Sequence, residues 1–475
     1  VANQYDVIII GAGTGGYPTA IRAAQLGLKV AVIERQKTLG GTCLNWGCIP
    51  TKALLEHAHA LKVAQGAKEW GLILGPEPPR IDMNQVQARK DKIVTVLTRG
   101  IEFLFKKNNI EWIKGTARLA GPGKVEVAGD QAQTQTQTLT AKQIVIATGS
   151  SARSVPGIEL DRKRIMTSDE AIFLREVPKS LVVMGSGPIG VEFATVFKRF
   201  GCDVTVVELL PHLVPLEDET ISLELEKAFK KQGIKFHTST TVTSARAKAD
   251  GVDLEMKMPD GSMQKLAADY LLVATGRGPV TTGLGAEEAG LKMERGYIWV
   301  DEQFRTSVAN VSAIGDVITF GKPGHLQLAH LSTAEGVALA ERLAGKPFQA
   351  INYDQVPKCT YCDPEISSVG LTEKQANDRG YDVRIGTFAF GALGRARIAG
   401  ETDGLVKIVA EKKYDEVLGV HIIGPRATEL IAEATLALRL ESTVEELIRT
   451  IHAHPTMSEA VGEAAHAAHG AAIHA

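Results

Sequence analysis

With 475 residues, 44% of them hydrophobic and 23% charged, the chain is long enough for three or four globular domains at roughly 150 residues each. Its net charge of −2 gives no electrostatic footing on nucleic acid or on an anionic membrane surface. No apolar run approaches the roughly 18 residues that span a bilayer, and five cysteines in so long a chain are not a secreted disulfide framework, so the expectation is a soluble intracellular enzyme.

The N-terminus shows no basic or signal-type segment and enters a strand at once, the β-branched run Asp6-Val7-Ile8-Ile9-Ile10. Gly11-Ala12-Gly13-Thr14-Gly15-Gly16 follows, then a helical stretch to 26, then the strand Lys29-Val30-Ala31-Val32-Ile33 closed by Glu34. This is a dinucleotide-binding βαβ fingerprint in its proper context. Gly11, Gly13 and Gly16 permit a tight turn and the approach of a pyrophosphate to a helix N-terminus, and the acid takes ribose hydroxyls.

Next comes Gly40-Gly41-Thr42-Cys43-Leu44-Asn45-Trp46-Gly47-Cys48-Ile49-Pro50-Thr51-Lys52. Residues five apart on a regular helix rise about 7.5 Å, whereas a disulfide needs its Cα atoms within about 6.8 Å. A Cys43–Cys48 bond therefore requires a bent backbone, which Gly47 can supply. Pro50 suits a first helical turn, which puts Cys48 at a helix N-terminus, where a thiolate is stabilised. The spacing is unusual for zinc and no second Cys/His pair accompanies it, so the reading is a redox disulfide.

Helical stretches are expected over 52–67 and 83–108, and strands over 110–127. The alternation Gln131-Ala132-Gln133-Thr134-Gln135-Thr136-Gln137-Thr138 reads as an exposed strand or a hairpin loop, with no function assigned. The nucleotide-binding plan then returns. Ser180-Leu181-Val182-Val183-Met184 leads into Gly185-Ser186-Gly187-Pro188-Ile189-Gly190, a helix to about 199, and Asp203-Val204-Thr205-Val206-Val207 closed by Glu208. In both copies the acid falls 23 positions after the first glycine, and each copy ends in a strand followed by Ala-Thr-Gly, at Ala147-Thr148-Gly149 and Ala274-Thr275-Gly276. The protein is expected to hold two dinucleotides. Glu208 can accept from two ribose hydroxyls and repels a 2′-phosphate, and no Arg or Lys lies over 209–216 to neutralise one, which favours NAD over NADP.

Further on, Asp316 follows a strand and Gly315, where doubly wound sheets bind ligands. A helix is expected over 328–344. Past Pro347, strands near 358–370, 404–410 and 417–423, with helices starting at 372, 426 and 444, suggest a separate antiparallel α+β domain. Cys359-Thr360-Tyr361-Cys362 has redox-motif spacing, but it sits on an expected strand outside any βαβ unit and reads as unpaired thiols, with Cys202 structural. His452 and His454 lack further ligands at metal spacing, so no metal is assigned.

Taken together, the cysteine stretch and His452-Ala453-His454-Pro455-Thr456-Met457-Ser458-Glu459 resemble the flavoprotein disulfide reductases nearly end to end, and among them most the dihydrolipoamide dehydrogenase family. The resemblance implies an α/β architecture: an FAD-binding domain over 1–150 with an insertion, an NAD-binding domain over 151–277, a central domain over 278–348 completing the FAD site, and a dimerisation domain over 349–475. By the same resemblance Glu34 meets the FAD ribose. Gly115, Thr148, Gly149 and Ser150 line the flavin nucleotide, Asp316 holds the ribityl chain, and Gln327-Leu328-Ala329-His330 forms a flavin-adjacent turn preceded by a few extra residues over 320–326. Gly185, Gly187, Gly190, Glu208 and Gly276 serve NAD, and Glu192 near the flavin pairs with Lys52. Trp46 stands where valine is more usual.

The implied relay begins with dihydrolipoamide attacking Cys43, the exposed sulfur. Cys48 is released as a thiolate against the flavin, and hydride passes to NAD⁺ on the other face. His454, oriented by Glu459, is the implied base for the substrate thiols, supplied by the partner subunit of a homodimer with a shared active site. The implied partners are lipoyl domains of an acyltransferase or of the glycine cleavage H protein, with no nucleic acid and no membrane. The implied compartment is the bacterial cytoplasm or the mitochondrial matrix. The His/Ala-rich tail over 464–475 resembles tails that cross to the partner, and it reads equally as frayed. Other reductases of the superfamily fit less well. A glutathione type would carry basic residues for NADP, and a mercuric type a C-terminal cysteine pair, whereas no Cys follows Cys362. A non-catalytic flavoprotein subunit would not need the full set of chemical residues.

Overall fold

Apolar β-branched runs that cannot face water on either side must lie inside a sheet. In the computed structural model of the protein, which describes residues 4–129, 136–322 and 325–474, that is where they lie. The chain forms two compact units. One comprises Val1–Ala53, Gln87–Arg153 and Arg277–Ile351, and the other Leu54–Val86, Ser154–Gly276 and Asn352–Ala475.

In the first unit, parallel strands run in the order Glu111–Lys114, Val30–Glu34, Gln4–Ile10, Gln137–Ile146, with Val311–Ala313 parallel to the end of the last. Ile10 is in register with both Ile33 and Ile146, and Ile146 with Ala313. The C-terminal ends of these strands therefore share one edge, and the segments after them (Gly11, Ala147 to Ser150, and Gly315 with Asp316) emerge together. The antiparallel strands Lys124–Ala128 and Thr116–Leu119 extend the sheet from the other half of Gln137–Ile146. Of the Gln/Thr alternation, 131–135 lie outside the described residues, while Gln137 and Thr138 open that strand.

The second unit repeats the plan with parallel strands in the order Lys235–His237, Asp203–Val207, Ser180–Met184, Tyr270–Val273, Ile165–Met166. It also holds an antiparallel sheet, ordered Lys358–Thr360, Glu365–Gly370, Val417–Gly424, Leu405–Glu411, Val383–Ala389. Val406, Ile408, Val420 and Ile422 form a core with the helices Ala427–Arg439 and Glu459–Ala468. The alternate positions Ser368, His421 and Lys407 are register partners across three strands and are buried on the opposite face.

There Lys407 Nζ donates to Asp218 Oδ1 at 2.8 Å and to Glu373 Oε2 at 2.6 Å, and Ser368 Oγ donates to Glu217 Oε2 at 2.6 Å. Asp218 is also the N-cap of the helix Glu219–Lys231, accepting from Thr220 N. One buried cation thus fastens the nucleotide-binding fold to the antiparallel sheet. Burial pushes the Asp218 carboxyl up, but Lys407, His421 and the Glu373 N–H together outweigh it, and the carboxyl lies below its ordinary value. A depressed carboxyl contributes stability that is present above its unfolded pKa of about 3.9 and fades as pH falls through the lower folded value. Lys407→Met should therefore lower stability at neutral pH by about 3–5 kcal/mol, as expected when a buried carboxylate loses its partner. Urea unfolding should show that difference shrinking below about pH 4.

Candidate active site

The first glycine turn, with Gly11, Gly13 and Gly16, joins the strand Gln4–Ile10 to the helix Gly16–Gln25. Gly11 has φ of +101°, and a Cβ there would lie 2.4 Å from Ala147 O. Glu34 is buried at the next strand end, where Oε2 accepts from Ala12 N and Oε1 from Gln36 N, both at 2.8 Å. Gly115 donates its N–H to Glu34 O at 3.0 Å. Thr148 Oγ1 donates to Val280 O at 2.6 Å, and Gly149 takes the left-handed conformation just before Ser150.

Ser150 Oγ donates to Asp316 Oδ2 at 2.5 Å. Arg277 holds that serine through Nε to Oγ at 2.7 Å and Nη2 to its carbonyl at 2.6 Å. Arg277 carries no sequence signal beyond its place after Ala-Thr-Gly, and the reading of the sequence missed it. Burial pushes the Asp316 carboxyl up, against the opposing pull of Ser150 and Arg277. Gln327 Nε2 reaches Asp316 O at 3.5 Å, Leu328 is the N-cap of the helix Ala329–Leu343, and Ala329 and His330 open that helix. Of the extra residues before Gln327, 323 and 324 lie outside the described residues.

The cysteine stretch docks on the first turn. Gly40 donates its N–H to Ala12 O at 2.9 Å, and a Cβ on Gly41 would stand 2.6 Å from Gly13 Cα. A short helix, Gly41–Asn45, carries Cys43, and the helix Cys48–Gln65 begins on Cys48. The bend between them is real, but Gly47 does not make it with a left-handed conformation. Glycine is needed there because a Cβ would press on Thr42 O at 3.0 Å. Asn45 clamps the bend from beneath, with Nδ2 donating to Leu39 O at 3.1 Å and Gly41 O at 2.8 Å, and Oδ1 accepting from Thr38 Oγ1 at 2.7 Å.

Cys43 and Cys48 stand as thiols, side chain to side chain. Both are half-buried, so exposure within this chain does not single out Cys43 as the expected exposed sulfur. The Cys43 thiol is pushed far above its ordinary value, first by donating its proton toward Cys48 and then by burial, with Lys52 pulling weakly the other way. Cys48 is the one of the two that begins a long helix, where a thiolate is stabilised. Tyr17, unremarked in the sequence, lies beside this pair, its phenol pushed up by burial and by Cys43.

In the second unit, Gly185, Gly187 and Gly190 form the equivalent turn into the helix Pro188–Phe200. Glu208 is buried beyond Val207, with Oε2 accepting from Ser186 N at 2.8 Å and Ser186 Oγ at 2.7 Å, and Oε1 from Leu210 N at 2.8 Å. Gly276 follows the strand Tyr270–Val273, and buried Glu192 accepts from Tyr361 N at 3.0 Å. His454 is exposed, its Nδ1 2.8 Å from Glu459 Oε1, while Glu459 Oε2 accepts from Thr456 N at 2.8 Å. Burial lifts the Glu459 carboxyl, but Thr456 N–H and His454 outweigh it and leave it below its ordinary value. His452 instead bonds Glu433 at 2.7 Å.

The first part of the tail, 464–468, completes the helix Glu459–Ala468, and Glu463 accepts from Ile473 N and His474 N. Cys359 and Cys362 are outside any disulfide. Cys362 is buried with Sγ 3.1 Å from Pro364 O, and burial pushes Cys202 up to about 12. Among the described residues no His/Cys/Asp/Glu group could hold a metal, and no helix is long and apolar enough to cross a membrane.

The family described as pyridine nucleotide-disulphide oxidoreductase matches residues 5–336, and its dimerisation domain matches 356–465. A dihydrolipoyl dehydrogenase of Bacillus subtilis is 44% identical, with both chains fully covered. Dihydrolipoyl dehydrogenase 3 of Pseudomonas putida is 46% identical over 97% of each. The crystal structure of LpdA from Mycobacterium tuberculosis superposes with a TM-score of 0.87 at 27% identity, covering 98% of this chain and 99% of that one.

Asn45→Ala strips two loop carbonyls of their donor and should lower stability by about 1–3 kcal/mol. Asn45→Asp should not restore it, because a carboxylate cannot donate; thermal melts of the three proteins check this.

Proposed function

The chain belongs to the pyridine nucleotide-disulphide oxidoreductase family, and we propose that within it this protein is a dihydrolipoyl dehydrogenase using FAD and NAD⁺. The observation that carries the reading is the Cys43–Cys48 thiol pair seated against the first glycine turn. The pair lies in a chain that also has a second nucleotide fold, and its full-length relatives at 44–46% identity bear that name.

The residues of the first unit fit a dinucleotide. Gly13 and Gly41 leave their surfaces bare, Glu34 keeps an acceptor position on each oxygen, and the half-buried Asp316 carboxyl is aimed by Ser150, itself held by Arg277. Gly11, Gly13, Gly16, Glu34, Lys52, Gly115, Thr148, Gly149, Ser150, Asp316 and the 327–330 turn would hold FAD. When bound, FAD carries two electrons between the cysteine pair and NAD⁺. Gly185, Gly187, Gly190, Glu208 and Gly276 serve NAD⁺, and Glu192 keeps the flavin-side role that the resemblance implies. The division at 150, 277 and 348 assigns these roles to FAD-binding, NAD-binding, central and dimerisation domains.

The chain's own chemistry is a thiol–disulfide exchange. A substrate thiolate attacks Cys43 of the oxidised pair, the Cys43–Cys48 bond breaks, and Cys48 leaves as thiolate. The second substrate thiol then attacks the mixed disulfide, which releases cyclic lipoamide and returns Cys43 as a thiol. The dithiol loses two electrons and two protons; NAD⁺ finally takes two electrons and one proton, and the other proton is released. His454 Nε2 takes the substrate proton, with Glu459 on Nδ1 fixing the ring and stabilising its charge. Its exposure in a single chain agrees with a base presented to a second copy, in a homodimer whose active sites are shared. The lipoyl-bearing partner is an acyltransferase or the glycine cleavage H protein, in the cytoplasm or the mitochondrial matrix.

Purified protein should be yellow with FAD and should oxidise NADH when lipoamide is added; no NADH loss would remove the reading. Cys48→Ser should abolish that turnover while FAD stays bound. His454→Ala should reduce it about 10²- to 10⁴-fold, the usual share of general acid–base catalysis, again with FAD retained.

A further inference from the structure

The two nucleotide turns share their three glycines and differ at the positions between them, of which one faces the ribose-reading acid. Ala12 in the first corresponds to Ser186 in the second, each following the first glycine. Both donate a backbone N–H at 2.8 Å to the acid that ends the next strand. Only Ser186 adds a hydroxyl, which donates to the same oxygen of Glu208 at 2.7 Å. The residue is fully buried, so its hydroxyl has no exchange with bulk water.

A carboxylate offers roughly four in-plane acceptor positions, two on each oxygen. Glu34 spends one on Ala12 N and one on Gln36 N, keeping one on each oxygen. A ribose can thus place both of its neighbouring hydroxyls on Glu34, one per oxygen. Glu208 spends both positions of Oε2 on Ser186 and one of Oε1 on Leu210 N, keeping a single position in place of the two that its sequence context suggests. We propose that Ser186 is a positioning residue that limits the second site to one ribose hydroxyl, making it the looser of two otherwise matching dinucleotide sites.

The inference rests on the assignment of the second fold to NAD⁺. It gives the asymmetry a use. One dinucleotide stays with the protein through many cycles, whereas the other must leave after each. A site built on the same plan needs some device to weaken its grip without losing the ribose-reading acid or its discrimination against a 2′-phosphate. Filling one acceptor position with a hydroxyl from the turn itself does this, and the buried carboxylate keeps three of its roughly four acceptor positions filled when the ligand departs.

The test uses FAD-loaded Ser186→Ala, which reproduces the residue of the first turn, with titrations of NAD⁺ and of its analogue lacking the 2′-hydroxyl on the adenosine ribose. Freeing one acceptor should tighten NAD⁺ binding about three- to tenfold, the range of one net hydrogen bond, and lower KM more than it changes the chemical step. The deoxy analogue has one hydroxyl to offer and should bind the variant and the wild type alike. A purely structural role for Ser186 would not separate the two ligands. Unchanged or weaker NAD⁺ binding by Ser186→Ala, or an equal gain for both ligands, would overturn the proposal. Wild-type holoenzyme that binds no NAD⁺ at all would instead remove the assignment beneath it.

Discussion

The structure of the first unit depends on one backbone-to-backbone contact, where the turn at Gly13 meets the turn at Gly41 with no room for a side chain on the second. A hydrogen bond from Gly40 to Ala12 closes the same junction. Because the first turn is fixed at the end of a parallel sheet, everything fastened to it inherits that position. The cysteine pair is therefore located by the sheet, through two glycines, and its loop contributes little of its own rigidity beyond the Asn45 clamp. A methyl group at Gly41 would move the sulfurs relative to the strand ends.

Electrostatics then differentiates two chemically identical thiols. Cys43 lies within the short helix Gly41–Asn45, while Cys48 sits on the first turn of a long helix whose N–H groups favour negative charge. Lys52, one turn further along that helix, adds a positive charge to the same neighbourhood. The polarity of the pair thus follows from the direction of one helix. Reversing it would require rebuilding the chain there, and exchanging side chains would not be enough.

Much of this was legible in the sequence, because parallel nucleotide folds advertise themselves. Buried strands read as unbroken β-branched runs, and Ser180–Met184 and Asp203–Val207 begin and end where those runs do. The C-terminal helix was harder to see. Glu459–Ala468 packs alanines against Gly386, where a Cβ would come within 2.1 Å of Ala464 O, so close approach replaces the large apolar side chains that make a helix visible. The partner strand Val383–Ala389 was hidden for the same reason, its pattern interrupted by that glycine. Within the site, acids and glycines at fixed spacing were readable, but their supports Arg277, Asn45 and Ser186 were not. A side chain that aims another leaves no periodicity and acts across a long stretch of chain, as Arg277 does on Ser150.

Asp218 serves two structures at once, ending the buried cation's reach from the antiparallel sheet and capping the helix Glu219–Lys231 of the nucleotide fold. Neither structure can open without uncovering a charge that belongs to the other. In a calorimeter the two should melt as a single cooperative block. A fragment cut between them would expose two half-satisfied surfaces and would not yield two independent modules.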